Sequence, residues 1–505
     1  MKKLFNKGVK QYLKLRYNRI ERMRNAPIEV QEKTFISLLN RAKDTKYGKK
    51  YGFSKITDHA SFIQNVPLID YEDVKPYIDR MMKGESNVLW PGIVKWYAKS
   101  SGTTNDRSKY IPVTEDSLYK NNVAASWDTM AITYHEDPES EIFLKKSLIM
   151  GGSLNPWEHN PKVTIGDISA ILLHRMPTVG RPFYSPDFKT ACLQDWEEKI
   201  RLMTHICIQD DIVMFGGVPT WTIVLFKRIL RETGAKNMHE VWPNVRYYLH
   251  GGVGFDPYID QFKEFLPDPD FRYYEVYNAS EGYFGVQDRS HKKGMLLLLD
   301  NDVYYEFITM EELLNDEPKT IPLSEVKIDT NYVLVISSSA GLWRYIPGDT
   351  VIFSSIKPYR ISVSGRTKHF INVFGEEVMV ANTDKAIAET INALPAVVSD
   401  YTVAPIYMKQ GSKGGHQWLI EFEKVPDSIE AFELLLDDNL QKINSDYAAK
   451  RYKDMALTRL QIVPVPPGTF LRWLASKGKV GGQNKVPRLF NSRKYVDELM
   501  DFVEN

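Results

Sequence analysis

Cysteine is nearly missing from this chain: Cys192 and Cys207 are the only two in 505 residues. Two thiols cannot build a disulfide framework or a four-ligand zinc site, so a reducing cytoplasm is the expected setting, with both thiols structural. An excess of charge of either sign is missing too. Lys and Arg total 65 against 64 Asp and Glu, a formal net charge of +1, which gives no electrostatic case for nucleic acid or an anionic membrane as the main partner. No stretch reaches the roughly 18 apolar residues of a membrane span. Residues 1–25 carry Lys2, Lys3, Lys7, Lys10, Lys14, Arg16, Arg19, Arg22 and Arg24 against Glu21, so the apolar run of a secretory leader is lacking. This segment reads as a solvated helix that packs Leu4, Phe5, Tyr12, Leu13 and Ile20 onto the body, the alternative being a basic amphipathic helix on a membrane surface, and no stable membrane association is expected. Internal repeats and low-complexity tracts are absent, as is the G-x-x-x-x-G-K-[ST] loop of the common NTPases.

What is present is a long chain of ordinary globular composition, 43% hydrophobic and 26% charged, and its length exceeds what one core supports. Helical spacing marks residues 26–45 and 69–82, and residues 94–98 read as a short strand. Residues 114–134 read as a helix with Thr114 as its cap and acids at 115 and 116 in the first turn. From about residue 140 onward, apolar runs ending in paired glycines (147–152, 212–217 and 245–252) alternate with helical stretches, and 271–277 adds another strand. Strands that end in glycine and pass to helices indicate an α/β fold with ligands at the strand ends. The runs 295–299, 303–308, 332–337 and 350–353 read as antiparallel strands. A break near Ser364-Gly365-Arg366 divides the chain into a large domain, 1–366, and a small mobile α+β domain, 367–505.

Five clusters carry the chemistry. The first, Lys99-Ser100-Ser101-Gly102-Thr103-Thr104-Asn105 with Lys109 beyond it, is a hydroxyl-rich loop hinged on glycine. Its freed N–H groups and hydroxyls can converge on one polyanion while Lys109 adds a point charge. The order strand, loop, helix would put that anion at a helix start, although the same run also suits a plain polar turn. The others are His250-Gly251-Gly252, Tyr277-Asn278-Ala279-Ser280-Glu281-Gly282, Ala340 through Asp349, and Gly365-Arg366-Thr367-Lys368 with Gly375-Glu376-Glu377 beyond.

In this order the clusters resemble the adenylate-forming superfamily, and within it the acyl acid amido synthetases of the auxin-responsive Gretchen Hagen family. The resemblance spans nearly the whole chain, from Phe35–Ala42 and Thr45-Lys46-Tyr47-Gly48, through Gly217-Val218-Pro219-Thr220 and Gly341-Leu342-Trp343-Arg344-Tyr345, to Gln483-Asn484-Lys485-Val486-Pro487-Arg488. Asn105-Asp106-Arg107, Ile346-Pro347 and Gly375-Glu376-Glu377-Val378 depart from the family pattern, the last being closer to the wider superfamily than to the plant members, and these differences bear on the plant substrates more than on the adenylation chemistry.

The resemblance implies a ligase that uses ATP and Mg²⁺ to convert a small carboxylic acid into an acyl adenylate, then transfers the acyl group to an amine, as in an amino acid. It implies a large adenylate-forming domain and a small lid carrying the catalytic lysine. Ser100, Ser101, Gly102, Thr103, Thr104 and Lys109 would hold phosphates. Gly251 and Gly252 would admit the flat base, and Tyr277, in the run Asn278-Ala279-Ser280, would stack on adenine. Glu281 would place the metal, Asp349 would accept from the ribose hydroxyls, and Lys485 would stabilise charge on the α-phosphate and the attacking carboxylate. Arg366 and Lys368 sit at the hinge, where one of the two could contact the nucleotide instead. Val123, Trp127 and Met130 on one helix face, with Phe215 and Val218, are the candidate acyl pocket, the plainer alternative being a core stripe. His250 and His291 are assigned no role. The expected partners are these small molecules, not nucleic acid, and a monomer is the default. Two alternatives stay open: an acyl-CoA ligase of the same superfamily, and a non-catalytic nucleotide-binding relative.

Overall fold

The chain folds into two compact units. In the computed structural model, residues 2–100, 109–252, 255–290, 292–315, 317–367, 370–371, 376, 378–407, 414–444, 447–448, 451, 457–479, 485–490 and 492–504 are described. The first unit comprises Met1–Gly252, Leu266–Pro347 and Val351–Ser362, and the second Val253–Phe265, Gly348–Thr350 and Val363–Asn505. Arg366, at the break expected from sequence, is the last residue of a strand, Tyr359–Arg366. No helix among the described residues is long and apolar enough to cross a membrane.

Helix α1 (Lys2–Asn25) buries Val9, Leu13, Ile20 and Met23 along one stripe. Tyr12 does not pack inward as expected. It lies one step round the helix from that stripe and is 44% exposed, its ring edge-on to Trp127 at 5.3 Å. The side chains of Leu4 and Phe5 lie outside those described. Helix α2 (Pro27–Ala42) starts on proline, whose missing N–H costs nothing there. It ends before Thr45, which caps the following turn by accepting from the Gly48 N–H at 2.9 Å. Helix α3 (Tyr71–Met82) opens with a capping box between Asp70 and Asp73 and buries Val74, Ile78, Met81 and Met82.

The strands of this unit are β1 (Trp96–Ser100), β2 (Lys109–Val113), β3 (Lys146–Ile149), β4 (Leu154–Trp157), β5 (Asn160–Gly166), β6 (Tyr184–Ser185), β7 (Ile212–Gly217) and β8 (Tyr247–His250). They are followed by β9 (Arg272–Ala279), β10 (Gly282–Gln287), β11 (Met295–Leu297), β12 (Val303–Thr309), β13 (Ile321–Pro322), β14 (Asn331–Ser338), β15 (Asp349–Ile356) and β16 (Tyr359–Arg366), the last two running on into the second unit. A small sheet has the order β2-β1-β5-β4, and a large one the order β13-β12-β14-β15-β16-β11-β10-β9-β8-β7-β3-β6. The three glycine-ended runs are β3, β7 and β8, and they pair in parallel with β6 and β9. From β10 onward the pairings β9–β10, β10–β11, β11–β16 and β12–β14 are antiparallel. This is the α/β fold with a β-rich section that the sequence implied, since parallel strands need helical crossovers and hairpin-linked strands do not.

A second expectation is overturned. β1 does not lead through its loop to a helix start: β2 follows as its antiparallel partner, with Ser100 directly opposite Lys109. Lys-Tyr-Ile-Pro-Val is a β-branched, aromatic-containing run that pairs before the helical segment begins. Thr114 then caps that segment as expected, accepting from the Ser117 N–H while Ser117 Oγ accepts from the Thr114 N–H, both at 2.9 Å. Its first part, Ser117–Val123, is wound as a wider π-helical turn before helix α4 (Ala124–Glu136) continues it.

The second unit is built on a sheet of β19 (Val397–Ile406), β20 (Gly415–Lys424) and β21 (Gln461–Val465), preceded by the short pair β17 (Phe370–Ile371) and β18 (Val378–Met379). Alternation along β20 gives the sheet two buried faces. Trp418, Ile420 and Phe422 join the core under the helices Val380–Ala393 and Ile429–Ile443, and Leu419 joins the core of Thr469–Ser476 and Lys494–Glu504. Cys192 and Cys207 are free thiols that burial raises to about 11 and about 12.

In the first unit, Gly341-Leu342-Trp343-Arg344-Tyr345 is a clasp. Arg344 sits at φ 46°, a costly backbone for a side-chain-bearing residue. Its buried guanidinium donates to both Glu306 carboxylate oxygens (3.1 and 3.2 Å), to the Val66 carbonyl (2.7 Å) and to Thr320 Oγ1 (2.8 Å). Trp343 Nε1 donates to the Leu89 carbonyl at 3.1 Å. Arg344→Ala would strand the Glu306 charge in the core, and is expected to lower the unfolding free energy by about 3–5 kcal/mol in urea titrations of the full chain. Burial pushes the Glu306 carboxyl up, but His59, Arg344 and Thr320 outweigh it and hold the group below its ordinary range. A depressed carboxyl contributes stability above the unfolded-state value of about 4.3 and loses it as pH falls through the folded-state value. Acid unfolding should therefore be steep in the wild type and flattened in Glu306→Gln.

Candidate active site

Strand β9 turns back into β10 through a two-residue connection, Ser280-Glu281, because Ala279 pairs directly with Gly282. This puts Glu281 at the tip of a hairpin, and yet its side chain is only 7% exposed. The π-helical turn packs against this hairpin, and its Asn121 is itself buried. Asn121 Nδ2 donates to the Tyr283 and Asn301 carbonyls (both 3.0 Å), and its Oδ1 accepts from the Tyr283 N–H at 2.7 Å. Two turns on, Thr129 Oγ1 meets the Tyr283 hydroxyl at 2.8 Å. The approach leaves no room at residue 282, where a Cβ would lie 2.8 Å from the Phe284 ring and 3.0 Å from Asn121 Oδ1. Tyr277 is buried two residues before Ala279, its ring edge-on to Phe284 at 5.0 Å. Asn278 pairs with Tyr283 across the hairpin.

Gly251 follows β8 under a similar constraint. A Cβ there would lie 2.4 Å from the Val276 carbonyl, and Gly252 adopts φ 81°. Glycine is required at 251 by the close approach of the neighbouring strand and at 252 by its left-handed backbone. Burial pulls the adjacent His250 down to about 3, which keeps its imidazole neutral. On the small sheet, Lys109 opens β2 opposite Ser100, with its ammonium 5.5 Å from the centre of the Tyr71 ring. Ser101, Gly102, Thr103 and Thr104 lie outside the described residues. Among the described residues no group of three or more His, Cys, Asp or Glu side chains could hold a metal ion. A divalent cation at Glu281 would need one carboxylate plus oxygens of its ligand, a shell that suits Mg²⁺.

The acyl-pocket candidates divide. Phe215 is fully buried in an aromatic group, stacked on Tyr248 at 4.4 Å and edge-on to Phe226 at 5.0 Å. Trp127 lies between Tyr12 and Phe143, stacked on the latter at 5.8 Å. Met130 packs against the main core, while Val123 and Val218 are half-buried.

The second unit holds the remaining candidates. Asp349 is buried at the start of β15, after Gly348 at φ 96°. The Gly348 carbonyl accepts from the Thr367 N–H at 2.8 Å, and Ser364 Oγ donates to Thr350 Oγ1 at 2.9 Å. Asp349 is thereby fastened to the strand that ends at Arg366, whose side chain, like Lys368, lies outside what is described. Lys485 is half-buried at the edge of a firmly held segment. Val486 is buried, the Pro487 carbonyl accepts from Thr402 Oγ1 at 2.6 Å, and the Arg488 carbonyl accepts from the Val403 N–H at 2.8 Å. Arg488 closes the arrangement by donating to Asp384 (2.6 Å) and to the Tyr258 hydroxyl (2.8 Å), with its guanidinium 4.5 Å from the Tyr401 ring centre. Asn121 and Arg488 are positioning residues that sequence reasoning missed. Asn121 carried no signal, and Arg488 had only its place in the Gln483–Arg488 motif.

Comparison with known proteins follows this layout. Residues 16–189 and 154–271 match the GH3 family N-terminal domain, 296–366 its central domain and 381–494 its C-terminal domain. The chain is 22% identical to the indole-3-acetic acid-amido synthetase GH3.3 of Arabidopsis thaliana over 562 aligned positions, covering 95% of this chain and 92% of that protein. It is likewise 22% identical to the 4-substituted benzoates-glutamate ligase GH3.12 of the same plant, covering 93% and 94%. The solved GH3.15 acyl acid amido synthetase shares its fold with a TM-score of 0.79 at 18% identity, over 97% of this chain and 96% of that one.

Asn121→Ala would leave the buried Tyr283 N–H without its acceptor, an expected loss of about 1–3 kcal/mol in denaturant unfolding. Arg488→Lys keeps the charge but loses the two-pronged grip on Asp384 and Tyr258. Hydrogen exchange over residues 485–490 should speed up in this variant while the first unit is unchanged.

Proposed function

The chain belongs to the GH3 family, and on that premise we propose that it is an acyl acid amido synthetase, joining a small carboxylic acid to an amino acid at the expense of ATP. The observation that carries this reading is the full-length family match, in a chain that also has a buried carboxylate at a hairpin tip and a lysine on an anchored segment. The relatives' names, which span indole-3-acetic acid, 4-substituted benzoates and jasmonoyl conjugates, support a small carboxylic acid as the acyl substrate class.

A carboxylate attacking the α-phosphate brings two anions together, so the protein must supply oriented donors and positive charge where charge develops. In this reading Ser100 to Thr104, which follow β1 in the chain, offer hydroxyls and N–H groups to the phosphates, with Lys109 beside them. Gly251, Gly252 and Tyr277 receive the adenine, and Asp349 accepts from the ribose hydroxyls. Lys485 faces the charge shared between the incoming carboxylate and the α-phosphate. A bound Mg²⁺ would neutralise phosphate oxygens, and Glu281 is the carboxylate that would hold it. The amine nitrogen then attacks the acyl carbonyl carbon, the bond to AMP breaks, and loss of the ammonium proton leaves an amide. The second unit is proposed to move between the two half-reactions about Arg366 and Lys368. The protein is proposed to act as a cytoplasmic monomer.

Pyrophosphate release with ATP and Mg²⁺ across a panel of carboxylic acids tests the first step. Acid-dependent release is expected, reduced about 100-fold or more in Lys485→Ala and Glu281→Gln. Added amino acids should then yield amides. A thioester with a thiol acceptor in place of an amide would overturn the assignment of the second step.

A further inference from the structure

Parts of the first unit that are remote in sequence close around a polar cavity of about 580 Å³. Its walls come from α1, the end of α4, the start of β9, the residues after β10, and β16. It lies at the opposite end of the β9–β10 hairpin from the Ser280-Glu281 turn. The eight residues of β9, at about 3.3 Å each, put it roughly 20–25 Å away.

Arg24, Arg272, Arg289 and Arg360 line the cavity beside Glu136, Asp270 and Asp288, and Arg24 also meets Glu21. Asp288 is already held by Arg360 through two bonds of 2.8 Å and by Arg24. Glu136 accepts from the Tyr274 hydroxyl at 2.7 Å and from the Ser290 N–H at 3.1 Å. Arg272 reaches a carboxylate, Asp137, only at 4.0 Å, and that group is already taken by the Tyr247 hydroxyl at 2.6 Å and by Arg246 at 3.3 Å. Asp270 stands exposed at the rim. The Arg289 guanidinium has no carboxylate partner among the described residues, and its Nε is buried without a hydrogen bond, as is that of Arg24. A guanidinium on a cavity wall with no carboxylate partner keeps its charge and its terminal N–H donors for an anionic ligand. Beside them Tyr17 and His135 stack at 3.7 Å with a 9° interplanar angle, a flat aromatic wall.

We propose that this cavity is a second ligand site, for a small anion bearing a phosphoryl group, with Arg289 and Arg272 gripping the phosphoryl oxygens and the Tyr17–His135 pair facing the remainder of the molecule. The assignment is independent of the reaction proposed above. Planar guanidinium groups match phosphoryl oxygens in pairs.

The test is calorimetric titration of the full chain with inorganic phosphate and, separately, phenyl phosphate, on wild type, Arg289→Gln and Arg272→Gln. Saturable binding is expected, weakened about tenfold or more in each variant while the melting temperatures of the free proteins stay unchanged. Tighter binding of phenyl phosphate would assign a phosphate ester as ligand, and equal affinities would assign free phosphate. Absence of saturable binding for both probes, or affinities unmoved by both substitutions, would overturn the proposal. If one variant fails to fold, the other carries the test, because Arg289 and Arg272 sit on separate segments.

Discussion

Much of the first unit depends on one buried ion pair. Arg344 takes an unfavourable backbone conformation and gives up water in order to meet Glu306, Thr320 and the Val66 carbonyl at once. Removing both partners of such a pair can be nearly neutral, whereas removing one is not. Its energetic meaning is therefore specificity: the helical N-terminal segment can dock on the β-rich section in one register only. Ile69 makes this concrete. Its N–H donates to the Arg344 carbonyl at 3.1 Å and its carbonyl accepts from the Ile346 N–H at 2.9 Å, extending the sheet with a single bridge.

The fold was legible where periodicity and punctuation agree. β3, β7 and β8 are apolar runs ending in glycine, and the antiparallel strands beyond β10 alternate or run apolar as their burial requires. Thr114 declared itself as a cap. Legibility failed where non-local pairing decided the outcome. Lys109–Val113 forms a strand because β1 lies opposite it, and Tyr12 stays exposed because the stripe on α1 is narrower than its apolar content suggested.

The candidate site was legible by residue type and less so by cause. Gly251 looked like room for a ligand, and the crowding at that position comes from the Val276 carbonyl of the next strand. Two motif arginines, Arg344 and Arg488, are buried in hydrogen-bond networks within the units that hold them. Both motifs therefore mark where the framework is clamped beside chemistry-bearing residues: Asp349 lies five positions after Arg344, and Lys485 three before Arg488. Asn121 stayed hidden because its partners, Tyr283 and Asn301, are more than 150 positions away in the chain, and a single buried amide leaves no pattern in sequence.

The π-helical turn at Ser117–Val123 also bears on how this chain can vary in length. Such a turn is an α-helix holding one surplus residue, so deleting any single position within it would restore ordinary winding and leave the helix unbroken. Because the wide turn absorbs its extra residue without turning the helix beyond it, the two sides would stay nearly in phase, and Thr129 would still face the Tyr283 hydroxyl. What the deletion would remove is the bulge that carries Asn121 to the Tyr283 and Asn301 backbone. The helix can lose a residue here, and the hairpin it serves cannot spare it.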